Sequence, residues 1–283
     1  MIDMRSRLSR LMWKSGITPA MVRRTAKRSR FALVMHGVSA ELDLSLPCEV
    51  QPHHTGTEME QTLAWLKADF DFLAPQAFLE TDDPGVLLTF DDGFANNYEV
   101  LLPILEAFNA PAIFFVTTQH VLDSNNWLPA THKIAKRHWA IANDIPDATA
   151  HAFFDGMTVE QLQECARHPL ITIGSHTLTH PFLTKCPPDQ QTEEISGSKQ
   201  LIEELCGKSV DLFAYPSGDY DERVLKQVEQ AGYIAAFAVD SLRINPYRFE
   251  IPRVGLYQSD ESYLALKLSG LHRRSIRGRI LTG

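Results

Sequence analysis

The chain has 283 residues, 44% hydrophobic and 22% charged, with a net charge of −8, which suits one soluble α/β domain of barrel size. No apolar run approaches the roughly 20 residues of a membrane helix, and Arg5, Arg7, Arg10 and Lys14 interrupt the amino-terminal apolar residues where an export signal would need continuity. Cys48, Cys165, Cys186 and Cys206 follow neither a metal-binding nor a small-scaffold spacing, so free thiols in a reducing, cytoplasmic compartment are expected.

In chain order, residues 1–30 come first as a basic extension, with nine Lys/Arg against the single acid Asp3. Met4, Leu8, Leu11 and Met12 interleave with arginines there, the pattern of an amphipathic segment that seeks a surface. A tail at 267–283 adds five more cations and no acid, so both ends are basic around an acidic body. Contact with an anionic membrane on its inner face is one expectation and a solvated arm the other. The acidic body and the lack of a stacking-aromatic motif argue against nucleic acid.

From residue 31 to 266 strands and helices alternate. Phe31 to His36 reads as a short apolar strand. Thr57-Glu58-Met59-Glu60 has capping-box spacing ahead of a helix through Met59, Leu63, Leu66, Phe70 and Leu73. Val86 to Phe90 is a second strand, Tyr98 to Phe108 a helix, and Pro111 to Thr117 a third strand. Residues 119–156 read as an insertion near a site. Thr158 to Gln161 caps the next helix, and Leu170 to Gly174 is the fourth strand. A helix from Asp189 through Leu205, a strand from Val210 to Tyr215 and a helix capped within Asp219 to Glu222 follow. Ile234 to Val239 and Ile251 to Val254 supply the last strands, and Ser259 to Leu268 the last helix. Seven strands alternating with helices imply a parallel sheet, and that count favours a closed barrel over an open sheet.

In such barrels chemistry gathers at the carboxyl ends of the strands. His36, Asp91, Asp92, His176, His180, Pro216 and Arg253 all fall at or just after such ends. Two adjacent acids after a buried strand repel unless a cation joins them. His176 and His180, four apart, would share one face of a helical turn. One Asp and two His would hold a metal with coordination positions left open, while the second Asp handles protons. Zn, Ni, Co and Fe suit those donors about equally. Trp127, Trp139 and Tyr98 are candidate stacking platforms for a ligand ring, set against a core role. His53 and His54 read as loop residues, incidental in one reading and facing a substrate in the other.

Thr89-Phe90-Asp91-Asp92-Gly93, then His176-Thr177-Leu178-Thr179-His180-Pro181, then Phe213-Ala214-Tyr215-Pro216-Ser217-Gly218 resemble the polysaccharide deacetylase (NodB-homology, carbohydrate esterase 4) family. The resemblance implies a distorted (β/α)7 barrel that hydrolyses N-acetyl groups on amino sugars with a divalent metal, often zinc. It implies Asp92, His176 and His180 as metal ligands, Asp91 as general base, and the backbone N–H of Ser217 as oxyanion donor. The third motif departs from the family, which places Arg where Ala214 stands; Arg253 is the candidate to set a positive charge against Asp91. A late Leu-x-His motif is not evident, and His272 suits a surface tail. His36, ending the first strand, resembles instead the catalytic acid of the subgroup with circularly permuted motif order. The expected substrate is an N-acetylated amino sugar of a glycan or a lipid-linked glycan intermediate. A deformylase or O-ester hydrolase using the same residues is the second reading, and a glycan-binding homologue that has lost activity the third.

Overall fold

A computed structural model describes residues 4–43, 52, 54–123, 147–239, 247–270 and 280. Helices α1 (Met4–Lys14) and α2 (Ile17–Ala26) precede strand β1 (Arg30–Met35). A small parallel pair follows, β2 (Val38–Ser39) with β3 (His54–Thr55), then α3 (Gly56–Lys67), α4 (Pro75–Glu80) and β4 (Gly85–Phe90). Next come α5 (Leu102–Phe108), β5 (Ala112–Val116), α6 (Thr118–Leu122), α7 (Asp147–Phe154), α8 (Val159–Arg167) and β6 (Ile171–Ser175). The chain continues with α9 (Pro188–Thr192), α10 (Ser198–Cys206), β7 (Leu212–Ala214), α11 (Glu222–Gln230), β8 (Ala235–Ala238), β9 (Ile251–Gly255) and α12 (Glu261–Leu268).

Strands β1, β4, β5, β6, β7, β8 and β9 pair in that order, all parallel, and β9 returns to β1, closing the barrel. The seven strands expected from the apolar runs are therefore the seven of the barrel. Side chains alternate between its two faces, as strand geometry requires. Ala32, Leu87, Ile113, Phe115, Leu212, Ala214, Ala235, Phe237 and Ile251 fill the interior. Phe31, Leu33, Leu88, Phe90, Phe114, Ile173, Phe213 and Ala236 face the surrounding helices. Both faces are buried, so the strands read as continuous apolar runs rather than alternating ones. Gly174 makes room inside: a Cβ there would stand 2.4 Å from the Phe115 ring. Leu73 and, from α4, Phe78 and Leu79 join the interior cluster with Ile280, at the end where β1 and β4 begin.

One local expectation is corrected and two are borne out with added detail. The capping box at the start of α3 is Thr55 with Glu58, two residues earlier than the Thr57 pattern: Thr55 Oγ1 accepts from Glu58 N at 3.2 Å and Glu58 Oε2 from Thr55 N at 2.8 Å. Asp221 is the cap of α11, while Asp219 instead accepts from Thr184 N and Oγ1, at 2.8 and 2.9 Å, in the loop after β6. The helix expected from Tyr98 opens on a wider π-helical turn, Asn97–Leu101, before becoming α-helical.

The basic residues 4–26 form the α1–α2 pair packed on α12, where Ser9 Oγ donates to the Ser262 carbonyl at 2.8 Å and Thr25 Oγ1 to that of Ser269 at 3.1 Å. Cys165, Cys186 and Cys206 are free thiols. Cys48, His53, Trp127, Trp139, His272 and the tail arginines lie outside the described residues.

Candidate active site

Strand alternation sets the two acids apart. Leu87, Thr89 and Asp91 occupy successive inward positions of β4 and its continuation, and Asp91 N still donates to the Met35 carbonyl at 3.0 Å. Asp91 thus points over the top of the barrel interior. There Arg253, inward-facing on β9 and fully buried, grips it with both forks: Nη1 to Oδ1 at 2.6 Å and Nη2 to Oδ2 at 2.8 Å. Arg253 Nη1 also donates to Thr89 Oγ1 at 3.1 Å, and the guanidinium lies 5.4 Å from the Phe115 ring centroid. A planar fork matches a carboxylate in this way where an ammonium would not. Burial alone would raise the Asp91 pKa, but Arg253 and then His176 outweigh it and hold the group down to about 2.

Asp92 turns the other way. Its φ is 81°, so the backbone leaves the strand in a left-handed turn continued by Gly93 at 78°. Its carboxylate reaches His176 and His180: Oδ1 lies 3.7 Å from His176 Nε2 and 3.6 Å from His180 Nε2. The two rings are 4.8 Å apart between centroids. The helical turn expected to align these histidines is absent. Residues 176–180 form a loop in which Thr177 and His180 both take positive φ, 70° and 61°, and His180 N donates to Thr177 Oγ1 at 3.0 Å. Thr179 is bound through both its N–H and hydroxyl by the Glu194 carboxylate, which fixes the loop from below. Among the described residues, five non-glycine positions have positive φ, and four of them (Asp92, Thr177, His180, Ser217) sit at this rim. Strain of this kind collects where geometry is imposed by a site.

The donor set fits a divalent ion. His176 Nδ1 lies 2.8 Å from the Ala214 carbonyl, which can only accept, so that nitrogen carries the proton and Nε2 presents its lone pair to the carboxylates. Asp92 Oδ1 and His180 Nδ1 are buried without a hydrogen-bond partner. One ligand atom from each of Asp92, His176 and His180 lies within 4.8 Å of the others. The 3.6 and 3.7 Å separations exceed hydrogen bonds and approach the roughly 3.4 Å between ligands of a tetrahedral ion with bonds near 2.1 Å. Burial lowers the pKa of His176 to about 4, opposed by Asp91, which keeps the ring neutral as ligation needs.

His36 follows β1 directly, half-buried, its ring 6.0 Å from that of Tyr257. It is the largest charge partner lowering the Asp92 pKa against the effect of burial. Ser217 is exposed in the turn after β7, with φ 56°. Tyr98 is turned to the outer layer, where its hydroxyl meets Glu164 on α8.

Several residues escaped the sequence reading. Asn96 is 3% exposed; its Oδ1 accepts from Val38 N at 3.0 Å and its Nδ2 donates to the Ala152 carbonyl at 2.9 Å. It thereby ties the turn after His36 to the segment after the acid pair, and Gly37 lies so close that a Cβ would stand 2.9 Å from Asn96 Oδ1. Buried His120 lies 3.2 Å from the Asp92 carbonyl and 2.8 Å from that of Phe154. Tyr257 folds back over Gly255, where a Cβ would stand 2.5 Å from its ring. His54, read as incidental, is 1% exposed on β3, and burial lowers its pKa to about 4.

Residues 79–236 match the family model described as Polysaccharide deacetylase. The chain is 28% identical over 229 residues to "Putative polysaccharide deacetylase YxkH" of Bacillus subtilis (strain 168), spanning 78% of this chain and 68% of that protein. It is 23% identical over 237 residues to the poly-beta-1,6-N-acetyl-D-glucosamine N-deacetylase of Staphylococcus aureus (strain MSSA476), covering 77% and 72%. The solved de-N-acetylase of Aggregatibacter actinomycetemcomitans superposes with a TM-score of 0.64 at 21% identity, covering 85% of this chain and 99% of that one, a likeness of fold. With a closed seven-strand barrel and more than half its length inside the matching region, the chain belongs to the polysaccharide deacetylase family.

Proposed function

We propose that the chain is a metal-dependent hydrolase that removes N-acetyl groups from amino sugars of a glycan or a lipid-linked glycan intermediate. The observation that carries this reading is the division of labour between adjacent acids: Asp91 is held ionised by Arg253, and Asp92 converges with His176 and His180. A bound divalent ion, zinc or one of nickel, cobalt and iron, would be held by Asp92, His176 and His180 and would supply a Lewis acid for the acetyl carbonyl. Asp91 takes the proton of the attacking water, a role supported by Arg253, whose two hydrogen bonds fix the orientation of its oxygens. His36 gives a proton to the departing amine, and the backbone N–H of Ser217 donates to the tetrahedral oxyanion. Arg253 takes the part of the arginine that the family's third motif would place at Ala214. The N-acetylglucosamine polymer named for the staphylococcal relative supports the substrate class.

The test is release of acetate and formate from matched N-acyl amino-sugar oligomers and lipid-linked amino sugars, before and after chelation and metal readdition. Acetate released from the amide, lost on chelation and restored by metal, is the expected result. Faster formate release, or acetate from O-acetyl sugars alone, would replace it with the deformylase or esterase reading. Stoichiometric metal with no turnover on any of these sugars would make the chain a glycan-binding homologue.

A further inference from the structure

We propose that the outward face of the α1–α2 helix pair is a docking surface for an anionic lipid bilayer. Each helix has its inner side already committed. On α1, Ser9 is buried against Ser262, and Trp13 turns inward onto Trp65, the ring centroids 6.4 Å apart. On α2, Thr18, Val22, Thr25 and Ala26 are buried. What remains outside is apolar and cationic together. Leu8, Leu11 and Ile17 are 57%, 65% and 51% exposed, and Arg7, Arg10, Lys14, Arg23, Arg24, Lys27 and Arg28 are exposed around them. No carboxylate occurs between residues 4 and 30, although the whole chain carries −8; Asp260, just before α12, feels Arg10.

Three exposed aliphatic side chains together with seven exposed cations on one helix pair match a bilayer interface, which takes the aliphatics below its headgroups and the cations at its phosphates. A nucleic acid offers the phosphates and no place for the leucines, and Trp13, the one tryptophan here that could stack on a base, is turned inward. No described helix is long and apolar enough to cross a membrane, so the contact is in the plane of the surface. Ser262 stands in the first turn of α12, soon after the carboxyl end of β9, so α1 reaches toward the rim that carries Asp91 and Asp92. Docking there would bring that rim near substrates displayed on lipid.

The experiment is flotation of the full chain with vesicles of phosphatidylcholine alone and of phosphatidylcholine mixed with phosphatidylglycerol. Binding to the mixed vesicles only, weakened by salt and by at least about tenfold in both Leu8→Glu/Leu11→Glu and Arg23→Glu/Arg24→Glu, is expected. Both variants should keep the wild-type circular dichroism and the wild-type acetate release from a soluble oligomer. Equal binding to neutral vesicles, full binding by both variants, or preference for a DNA duplex over the anionic vesicles would overturn the assignment. A protein that floats as expected yet releases no acetate would leave this surface standing and count against the proposed chemistry alone.

Discussion

Asp91 and Asp92 show how one residue step decides a role. Asp91 stays on the inward parity of β4 and meets Arg253, while Asp92 leaves the strand at φ 81° and meets two histidines. Asp91→Asn is expected to lower acetate release by about 100-fold or more while metal analysis finds the same bound metal, since on the proposed reading it is the base and not a ligand that is lost. His36→Ala should lower kcat by about 100-fold with metal content again unchanged; loss of metal in step with activity would make His36 a ligand instead. The chemistry-bearing types at this scale were legible because acids and histidines after apolar strands are rare unless used. Asn96, His120 and Tyr257 were not, since an amide, a buried imidazole and a tyrosine announce nothing until their distant partners are known. Asn96 meets its Val38 partner only through the fold, 58 residues away.

At the level of elements, all seven barrel strands were readable, because a parallel strand buried on both faces must be apolar throughout. The pair β2–β3 was not, as two residues carry no periodicity. The histidine loop was misread for a related reason: a spacing of four fits a helix, yet two positive-φ residues and the Glu194 clamp produce the same convergence without one. The shifted capping box shows a similar ambiguity, with Thr55 and Thr57 both three residues ahead of a glutamate. Asn96 joins two such elements, holding the turn behind His36 to the segment behind Asp92. Asn96→Ala leaves a buried N–H on Val38 without its acceptor, so a loss of about 1–3 kcal/mol in urea unfolding is expected. A fall in kcat with metal content retained should accompany it, because His36 loses its backing while the ligands keep theirs. Asn96→Asp keeps the acceptor for Val38 and should recover more activity than Asn96→Ala.

For the molecule as a whole, buried neutral histidines couple the fold to acidity. The pKa of His54 is lowered by burial to about 4, against 6.5 for the free side chain. The unfolded chain therefore binds a proton that the folded chain refuses, and stability falls as pH drops from about 6.5 toward 4. Between pH 7 and pH 5 this one residue should remove about 2 kcal/mol. The loss from pH 7 to pH 5 in urea unfolding is expected to be smaller by that amount in His54→Asn than in the wild type; an equal loss would show that His54 is protonated in the fold. That coupling was invisible in the sequence, where His53-His54 looked like any polar loop. The left-handed residues at the rim carry a further consequence. Asp92 holds a disfavoured backbone, at about 1 kcal/mol for such a residue, with a buried oxygen that no N–H or O–H satisfies. Durability and chemistry thus pull against each other in this barrel. Variants bred for heat tolerance alone, without a cation present, would drift toward losing the very aspartate proposed to hold one.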